Sequence, residues 1–418
     1  MWQNLRAMSL RTLAVVCIVA LAAALPSAQS SSTPAARLDA RLKAAVDRGD
    51  IPGVVAIAAD RNGVIYSGAF GMQDTGHRRA LRTDTVFRIA SMTKAVTSAA
   101  LMQLVEQQRV GLDDPADKYL PAFRTLQVFE SFSSAGGSYR LRPAKRPPTV
   151  RELLTHTSGL AYNFVSPAVR DFKPRDGETF EAGPLLFDPG LRWHYGPSTL
   201  WVGKIVEAVS GMTLEAYLHD RVFQPLGMRD TSFNVPPQDQ SRVATVHARR
   251  RDGSLVEQPS APIPTVTEFR GDGGLFSTAI DYIRFEQMVL NDGRLNGAAI
   301  LSPKTIEAMA ANQIGALGVP ALKTAMPERS SDFTFVDDGR DKWGLGFLIT
   351  ARETAGKRSP GSLSWGGINN TYFWIDRRRG VAGVILMQFL PFADAKALNV
   401  YDVFERGTYE ILDDLQRR

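Results

Sequence analysis

The sequence has almost no cysteine. One is present in 418 residues, Cys17, and it sits inside an apolar N-terminal run. A chain built this way neither uses disulfides nor risks scrambling them in an oxidising compartment. Histidine is scarce too, with five in the chain: His77, His156, His194, His219 and His247. None stands in an H-x-H or H-E-x-x-H spacing, which argues against a metal site. The G-x-S-x-G turn of the α/β-hydrolases is missing. Basic residues number 49 against 43 acidic. They are interspersed, without the concentrated basic stripe that nucleic-acid binding needs. No internal repeat is evident.

What is present is an ordinary globular composition, 44% hydrophobic and 22% charged. The length predicts two subdomains rather than one simple core. Arg6 and Arg11 precede an apolar run from Thr12 to Leu25, followed by Pro26-Ser27-Ala28-Gln29. Residues 1–28 therefore read as a signal peptide cleaved near Ala28, and 29–36 as a Ser/Ala/Pro linker. Val16 stands before Cys17 where a lipidation site wants a small residue. The expectation is a periplasmic or secreted protein with no stable membrane anchor after cleavage. Losing Arg6 and Arg11 with the leader takes the formal net charge from +6 to +4.

Along the mature chain, Arg37–Arg48 reads as a helix. Val54–Ala59 and Val64–Phe70 read as a hairpin about an Asn-Gly turn. From Thr149 to about Leu226 the periodicity is helical, broken by a Pro/Gly/Asp loop at Ser166–Gly190. Thr278–Asn291 reads as another helix. Strands return at Gly346–Thr350, Ser362–Trp365, Thr371–Ile375 and Val381–Met387, and Ala395–Leu412 closes the chain as a helix. The basic loop Tyr139–Pro148 reads as solvated surface. The order predicts an α/β (α+β) fold. Segments 37–85 and 290–418 share an antiparallel sheet flanked by helices, and 86–289 forms a mostly helical domain. The active site lies in the cleft between them.

Ser91-Met92-Thr93-Lys94 is the most informative stretch, because no other serine has a lysine three residues on. Phe87-Arg88-Ile89-Ala90 reads as an extended lead-in and Met92–Gln108 as an amphipathic helix. Residues i and i+3 share a helix face, with Cβ atoms about 5–6 Å apart. A lysine amine within reach can take a serine proton when burial or a nearby cation favours its neutral form. The helix N-terminus adds N–H groups where an oxyanion would form. Serine is also a common N-cap and lysine a common exposed residue, so the tetrapeptide gains its meaning from what accompanies it.

Three stretches accompany it: Leu153-Leu154-Thr155-His156-Thr157-Ser158-Gly159-Leu160, Pro189-Gly190-Leu191-Arg192-Trp193-His194-Tyr195-Gly196-Pro197, and Ser364-Trp365-Gly366-Gly367-Ile368. In this order they resemble the serine β-lactamase and penicillin-binding-protein superfamily. More narrowly they resemble the class C β-lactamase-like group that contains the β-lactamase-fold carboxylesterases. The resemblance runs from about Arg37 to the C-terminus. It implies Ser91 as nucleophile, Lys94 as general base and Tyr195, from the Y-x-N position, as proton relay. It implies an oxyanion hole from the backbone N–H groups of Ser91 and Ile368, and no cofactor. Trp365, Gly366 and Gly367 occupy the place of the K-T-G strand beside the substrate, the glycines letting a substrate backbone approach closely. Tyr162, with Trp193 and Trp365, is a candidate wall of an acyl pocket.

Two departures bear on substrate. Pro197 replaces the Y-x-N asparagine, and Trp365 replaces the K-T-G cation. Both point away from β-lactams toward neutral small-molecule esters, unless Lys357 or Arg358 supplies the charge from a nearby loop. His156 reads as structural, holding its loop by hydrogen bonds. His194 either tunes Tyr195 or packs. Asp272 reads as a turn residue before Gly273-Gly274, and Asn369 and Asn370 as shaping a turn. The expected activity is an exported carboxylesterase working through an acyl-enzyme on Ser91. The alternatives are a β-lactamase or D-Ala-D-Ala peptidase, and a catalytically silent binding relative.

Overall fold

The computed structural model describes residues 33–418 apart from 135–136, 260–261 and 335–338. The leader and Cys17 lie outside the described residues. Pro34–Arg418 pack as one compact unit.

Its centre is an eight-stranded antiparallel sheet. From one edge the strands run Lys342–Trp343, Leu348–Ile349, Leu363–Gly367, Thr371–Asp376, Val381–Leu386, Gly53–Asp60, Val64–Asp74 and Arg79–Ala80. The seam between the two ends of the chain is the pairing of Gly53–Asp60 with Val381–Leu386, in register Ile57↔Val384. The expected union of N- and C-terminal segments in one sheet is therefore what forms.

The central strands are buried on both faces. Thr371–Asp376 and Val381–Leu386 have no exposed residue, so they read as continuous apolar runs rather than alternating ones. Successive side chains still point to opposite faces. Trp374 meets Phe404 of the C-terminal helix Ala395–Arg417, ring centroids 5.2 Å apart. Its neighbour Phe373 meets Tyr282 of the helix Ala279–Leu290 at 5.3 Å. The sheet is thus sandwiched between these helices, with Pro34–Asp47 packed beside the C-terminal helix. Gly383, opposite Trp374 in the register, makes room for the indole: a Cβ there would lie 2.4 Å from its Cη2 atom.

Several local expectations change. The first hairpin is closed by Asp60, whose Oδ1 accepts the N–H of Asn62 at 2.7 Å and of Gly63 at 2.9 Å. The aspartate side chain closes the loop, so the two left-handed residues of an Asn-Gly turn are not needed. Part of the supposed basic surface loop is a strand, Ser138–Pro143, paired with Gln127–Ser133. Its arginines are pinned by acids: Arg142 donates to Asp188 at 2.7 Å and Arg146 to Glu152 at 2.6 Å. The segment 86–289 is not helical throughout. His247–Arg249 and Leu255–Glu257 form a small sheet with Phe389–Leu390. Helix Ala279–Leu290 packs on the main sheet rather than away from it.

Glu286 on that helix is fully buried, and neither carboxyl oxygen has a hydrogen-bond partner among the described residues. Burial pushes its pKa well above the ordinary 4.5, so the folded chain holds it as the neutral acid. A group whose folded pKa is raised contributes fully below its unfolded pKa, and that contribution fades as pH rises toward the folded value. Glu286→Met keeps the side-chain length and removes the orphaned oxygens. It should stabilise the protein by about 1–3 kcal/mol at pH 8 and by less at pH 4.5. Thermal melts of both proteins at the two pH values check this. An equal gain at both would show that the acid does not titrate on unfolding.

Candidate active site

Ser91 lies in a single 3-10 turn, Ala90–Met92, that leads directly into the helix Thr93–Glu106. The residue before it, Ala90, has a left-handed backbone at φ +45°. Such strain persists only where the surroundings impose it, and here it turns the chain sharply at Ser91. The helix is not amphipathic. Thr93 through Leu104 are all buried. Their small side chains (Ala95, Ser98, Ala99, Ala100) let neighbouring elements close in on every side.

Lys94 is 1% exposed. Its Nζ lies 3.1 Å from Ser91 Oγ, 2.9 Å from Tyr162 Oη and 2.6 Å from the backbone oxygen of Asp272. A buried amine must have its hydrogen-bonding capacity met, and groups from three separate segments meet it. Tyr195, 3% exposed, donates its hydroxyl hydrogen to Ser91 Oγ at 2.6 Å. Serine, lysine and tyrosine, 104 residues apart at their extremes, thus form one connected group.

Two close backbone approaches hold this group together. A Cβ at Gly196 would lie 2.2 Å from the carbonyl oxygen of Leu160, so only glycine lets the Tyr195 segment lie against the Tyr162 segment, where Tyr162 N–H donates to Tyr195 O at 3.3 Å. A Cβ at Gly367 would lie 2.3 Å from Ile89 O. The glycine strand therefore packs against the backbone just before Ser91. The glycines had been expected to admit a substrate backbone; at Gly367 the close neighbour is the protein's own. This contact brings Ile368 beside Ala90, and both line a cavity of about 370 Å³.

Trp365 does not line that cavity. Its indole is 2% exposed, edge-on to Tyr195 at 5.0 Å and to Trp343 at 4.6 Å, and it donates Nε1–H to Tyr195 Oη at 3.3 Å. It acts on the site from behind, through Tyr195. Gly366 is close-packed as well, since a Cβ there would lie 2.8 Å from Tyr372 Cδ1. Tyr162 turns its hydroxyl to Lys94 and Asp272 rather than serving only as a pocket wall. Trp193 is buried behind Tyr195, stacked at 6.5 Å.

His156 is structural, but by packing. Its ring sits 5.1 Å from those of Tyr195 and Trp343, and its Nδ1 has no hydrogen-bond partner among the described residues. Burial, with Lys94 and His194 nearby, holds its pKa well below the ordinary 6.5, so the ring is neutral. Its backbone oxygen accepts the His194 N–H at 2.9 Å. His194 Nδ1 lies 3.2 Å from the Tyr195 carbonyl oxygen rather than at its hydroxyl. Asn369 and Asn370 do shape the turn after the glycine strand. Asn370 is left-handed, and its Nδ2 donates to Phe389 O and Pro391 O at 2.8 Å each.

The cation question resolves in an unforeseen direction. Lys357 and Arg358 are occupied elsewhere, Lys357 with Asp402 at 2.6 Å and Arg358 with Glu405 at 2.7 Å. Arg88, Arg270 and Arg329 line the cavity instead, together with one acid, Glu268. Arg270 pairs with Asp272 at 2.9 Å. Arg88 lies over the Phe276 ring at 4.7 Å, and burial lowers its pKa. Neither Arg88 nor Arg329 has an acidic partner among the described residues. No motif marks these residues or Asp272. An arginine before a nucleophile and an aspartate before two glycines carry no periodic signal, and only the folded geometry gathers them.

A family profile described as Beta-lactamase matches residues 38–405. Among similar proteins is the monacolin J acid methylbutanoyltransferase of Aspergillus terreus, 30% identical over 417 residues, covering 91% of this chain and 97% of that protein. Another is the lovastatin esterase of Penicillium rubens, 30% identical over 397 residues, covering 88% and 98% respectively. Among solved structures, the LovD6 mutant of simvastatin synthase from Aspergillus terreus superposes with a TM-score of 0.78 at 30% identity, covering 91% of this chain and 98% of that one.

The packing at Gly367 generates a prediction. In Gly367→Ala the new Cβ would meet Ile89 O at 2.3 Å and Thr371 Oγ1 at 2.4 Å, so the strand must withdraw from the nucleophile turn. The expected cost is about 1–3 kcal/mol of stability, with the rate of Ser91 labelling by a serine-directed phosphonate reduced at least tenfold. Gly63→Ala, where a Cβ meets nothing within 4 Å, is the control. Labelling at the wild-type rate in Gly367→Ala would show that this contact does not position the nucleophile.

Proposed function

The chain belongs to the β-lactamase family, and from that premise we propose that it is an exported serine enzyme that takes an acyl group from a carboxylic ester onto Ser91 and passes it to water or to an alcohol. The observation that carries this reading is the buried hydrogen-bonded group of Lys94, Ser91 and Tyr195, at 3.1 and 2.6 Å. Lys94 Nζ takes the Ser91 proton as Oγ bonds to the ester carbonyl carbon. The carbonyl π electrons move to oxygen, where the N–H groups of Ser91 and Ile368 stabilise the charge. When the tetrahedral intermediate collapses, the C–O bond to the alcohol breaks, and Tyr195 gives its proton to the departing oxygen. The Lys94 ammonium, 4.9 Å from the Tyr195 ring centroid, then returns its proton to the Tyr195 phenolate, so both groups regain their starting states. Water or a second alcohol then attacks the acyl-enzyme by the same steps in reverse, and Ser91 is released with its hydrogen restored.

Ester cleavage and ester formation differ here only in which hydroxyl deacylates Ser91. The relatives include a protein named as an esterase and one named as a methylbutanoyltransferase, which supports a site capable of both. The cavity refines the substrate class. The cation missing at Trp365 is offset by Arg88 and Arg329, so an ester or acceptor alcohol that also carries a carboxylate is accommodated beside a neutral one. Pro197 still leaves no side-chain amide for a β-lactam acylamido group.

The tests are direct. Ser91→Ala should abolish turnover of p-nitrophenyl butyrate. Lys94→Ala should lower kcat by about 10²–10⁴-fold, and Tyr195→Phe by a similar factor. Full activity in Tyr195→Phe would require another acid. Run beside a chromogenic cephalosporin, the wild type should favour the ester in kcat/KM; the reverse preference would make the protein a β-lactamase. Export rests on Arg6, Arg11 and the apolar run after them. Intact-mass analysis of the protein recovered outside the cytoplasm should show a start near Gln29, and retention of Met1 would count against it.

A further inference from the structure

We infer that Asp272 is a positioning residue that, through the Tyr162 hydroxyl and its own backbone carbonyl, turns the Lys94 lone pair onto Ser91. The inference rests on Lys94 acting as the base.

The argument is a count of hydrogens around one nitrogen. A neutral amine has two N–H bonds and one lone pair. Besides its own Cε, Lys94 Nζ has three polar neighbours. The backbone oxygen of Asp272 at 2.6 Å can only accept, so it takes one N–H. Tyr162 Oη has a single hydrogen, and the direction of that hydrogen decides the rest. It lies 2.5 Å from Asp272 Oδ2. The same oxygen accepts from Arg270 Nη2 at 2.9 Å, and a guanidinium is donor only. Oδ2 is therefore an acceptor, and Tyr162 donates to it. Burial and the Asp272 charge push the Tyr162 phenol well above its ordinary pKa, so it keeps that hydrogen. Its oxygen is left to accept the second N–H of Lys94, at 2.9 Å.

With both N–H bonds committed, only the lone pair remains for Ser91 Oγ at 3.1 Å. The other side of the serine is closed in the same sense. Trp365 donates to Tyr195, and Tyr195 donates to Ser91 Oγ, so the serine hydrogen has one destination, the lysine. Asp272 is 2% exposed and reaches Lys94 both directly and by way of Tyr162. Without its carboxylate the Tyr162 hydroxyl can rotate and offer its hydrogen to the lysine lone pair, which blocks the base.

The experiment measures kcat and KM on p-nitrophenyl butyrate for Asp272→Ala, Tyr162→Phe, the double variant, Asp272→Asn and Lys94→Ala, with melting temperature and circular dichroism for each. Each of the first two should lose about 10–10²-fold in kcat, with KM within about threefold of wild type. The double variant should lose no more than the worse single, because both changes break one path. Asp272→Asn retains a side-chain carbonyl to accept from Tyr162 and should recover most of the Asp272→Ala loss. Wild-type kcat in both singles, or losses that multiply in the double, overturns the inference while Lys94→Ala keeps its loss of about 10²–10⁴-fold. Full activity in Lys94→Ala overturns the base assignment as well. Should Asp272→Ala fail to fold, the same outcomes are read from Tyr162→Phe, Asp272→Asn and their combination.

Discussion

A lysine amine enclosed at 1% exposure is the constraint around which this molecule is organised. Burying such a group is costly unless its hydrogen-bonding capacity is met. Its partners come from the nucleophile turn, from the Tyr162 segment after the His156 motif, and from the Asp272 loop before helix Ala279–Leu290. These lie 68 and 178 residues from Lys94. The fold has to bring them within a few ångströms of one atom. The sheet serves that end: its antiparallel seam between Gly53–Asp60 and Val381–Leu386 fixes where the glycine strand meets the nucleophile turn.

The precision comes from absent side chains as much as from present ones. Gly196 and Gly367 each stand where a Cβ would overlap a carbonyl oxygen of the facing segment. Protein interiors are packed densely enough that a single extra carbon is felt. The two glycines therefore set the separation of the Tyr195 and Ile368 segments from the rest of the site. Behind them Trp365, His156, Trp343 and Trp193 form an aromatic wall against Tyr195. A phenol braced on its rear face and donated to by an indole keeps its hydroxyl on Ser91, which is the geometry a proton relay requires.

Charge is distributed in the same economical way. The strand that carries a cation in lactamases here carries a buried indole, and the cavity takes its positive charge from Arg88, Arg270 and Arg329 on other elements. One of these is neutralised by Asp272, which places that carboxylate in the service of Tyr162 and Lys94. The other two face a cavity that also holds Phe233, Val266 and Leu390.

Much of this was legible in the residues themselves. The S-x-x-K spacing is a local property of a helix start, the Tyr195 loop and the W-G-G strand stand out by their resemblance to family motifs, and the fold brings Ser91, Lys94 and Tyr195 into contact. The apolar runs at Val54–Ala59, Thr371–Ile375 and Val381–Met387 are local signals too and announce strands. Three things were settled only by tertiary structure. Whether Trp365 faces substrate or core depends on which side of a doubly covered strand it occupies, and a strand buried on both faces shows no alternation to read. Whether Asp272 is a turn residue or a partner of Lys94 depends on a contact across 178 residues. The sign of the cavity depends on arginines that no spacing relates. Local chemistry is written in order along the chain. The direction of a shared hydrogen is set by whichever groups the fold places at its two ends, and that is a property of the assembled site alone.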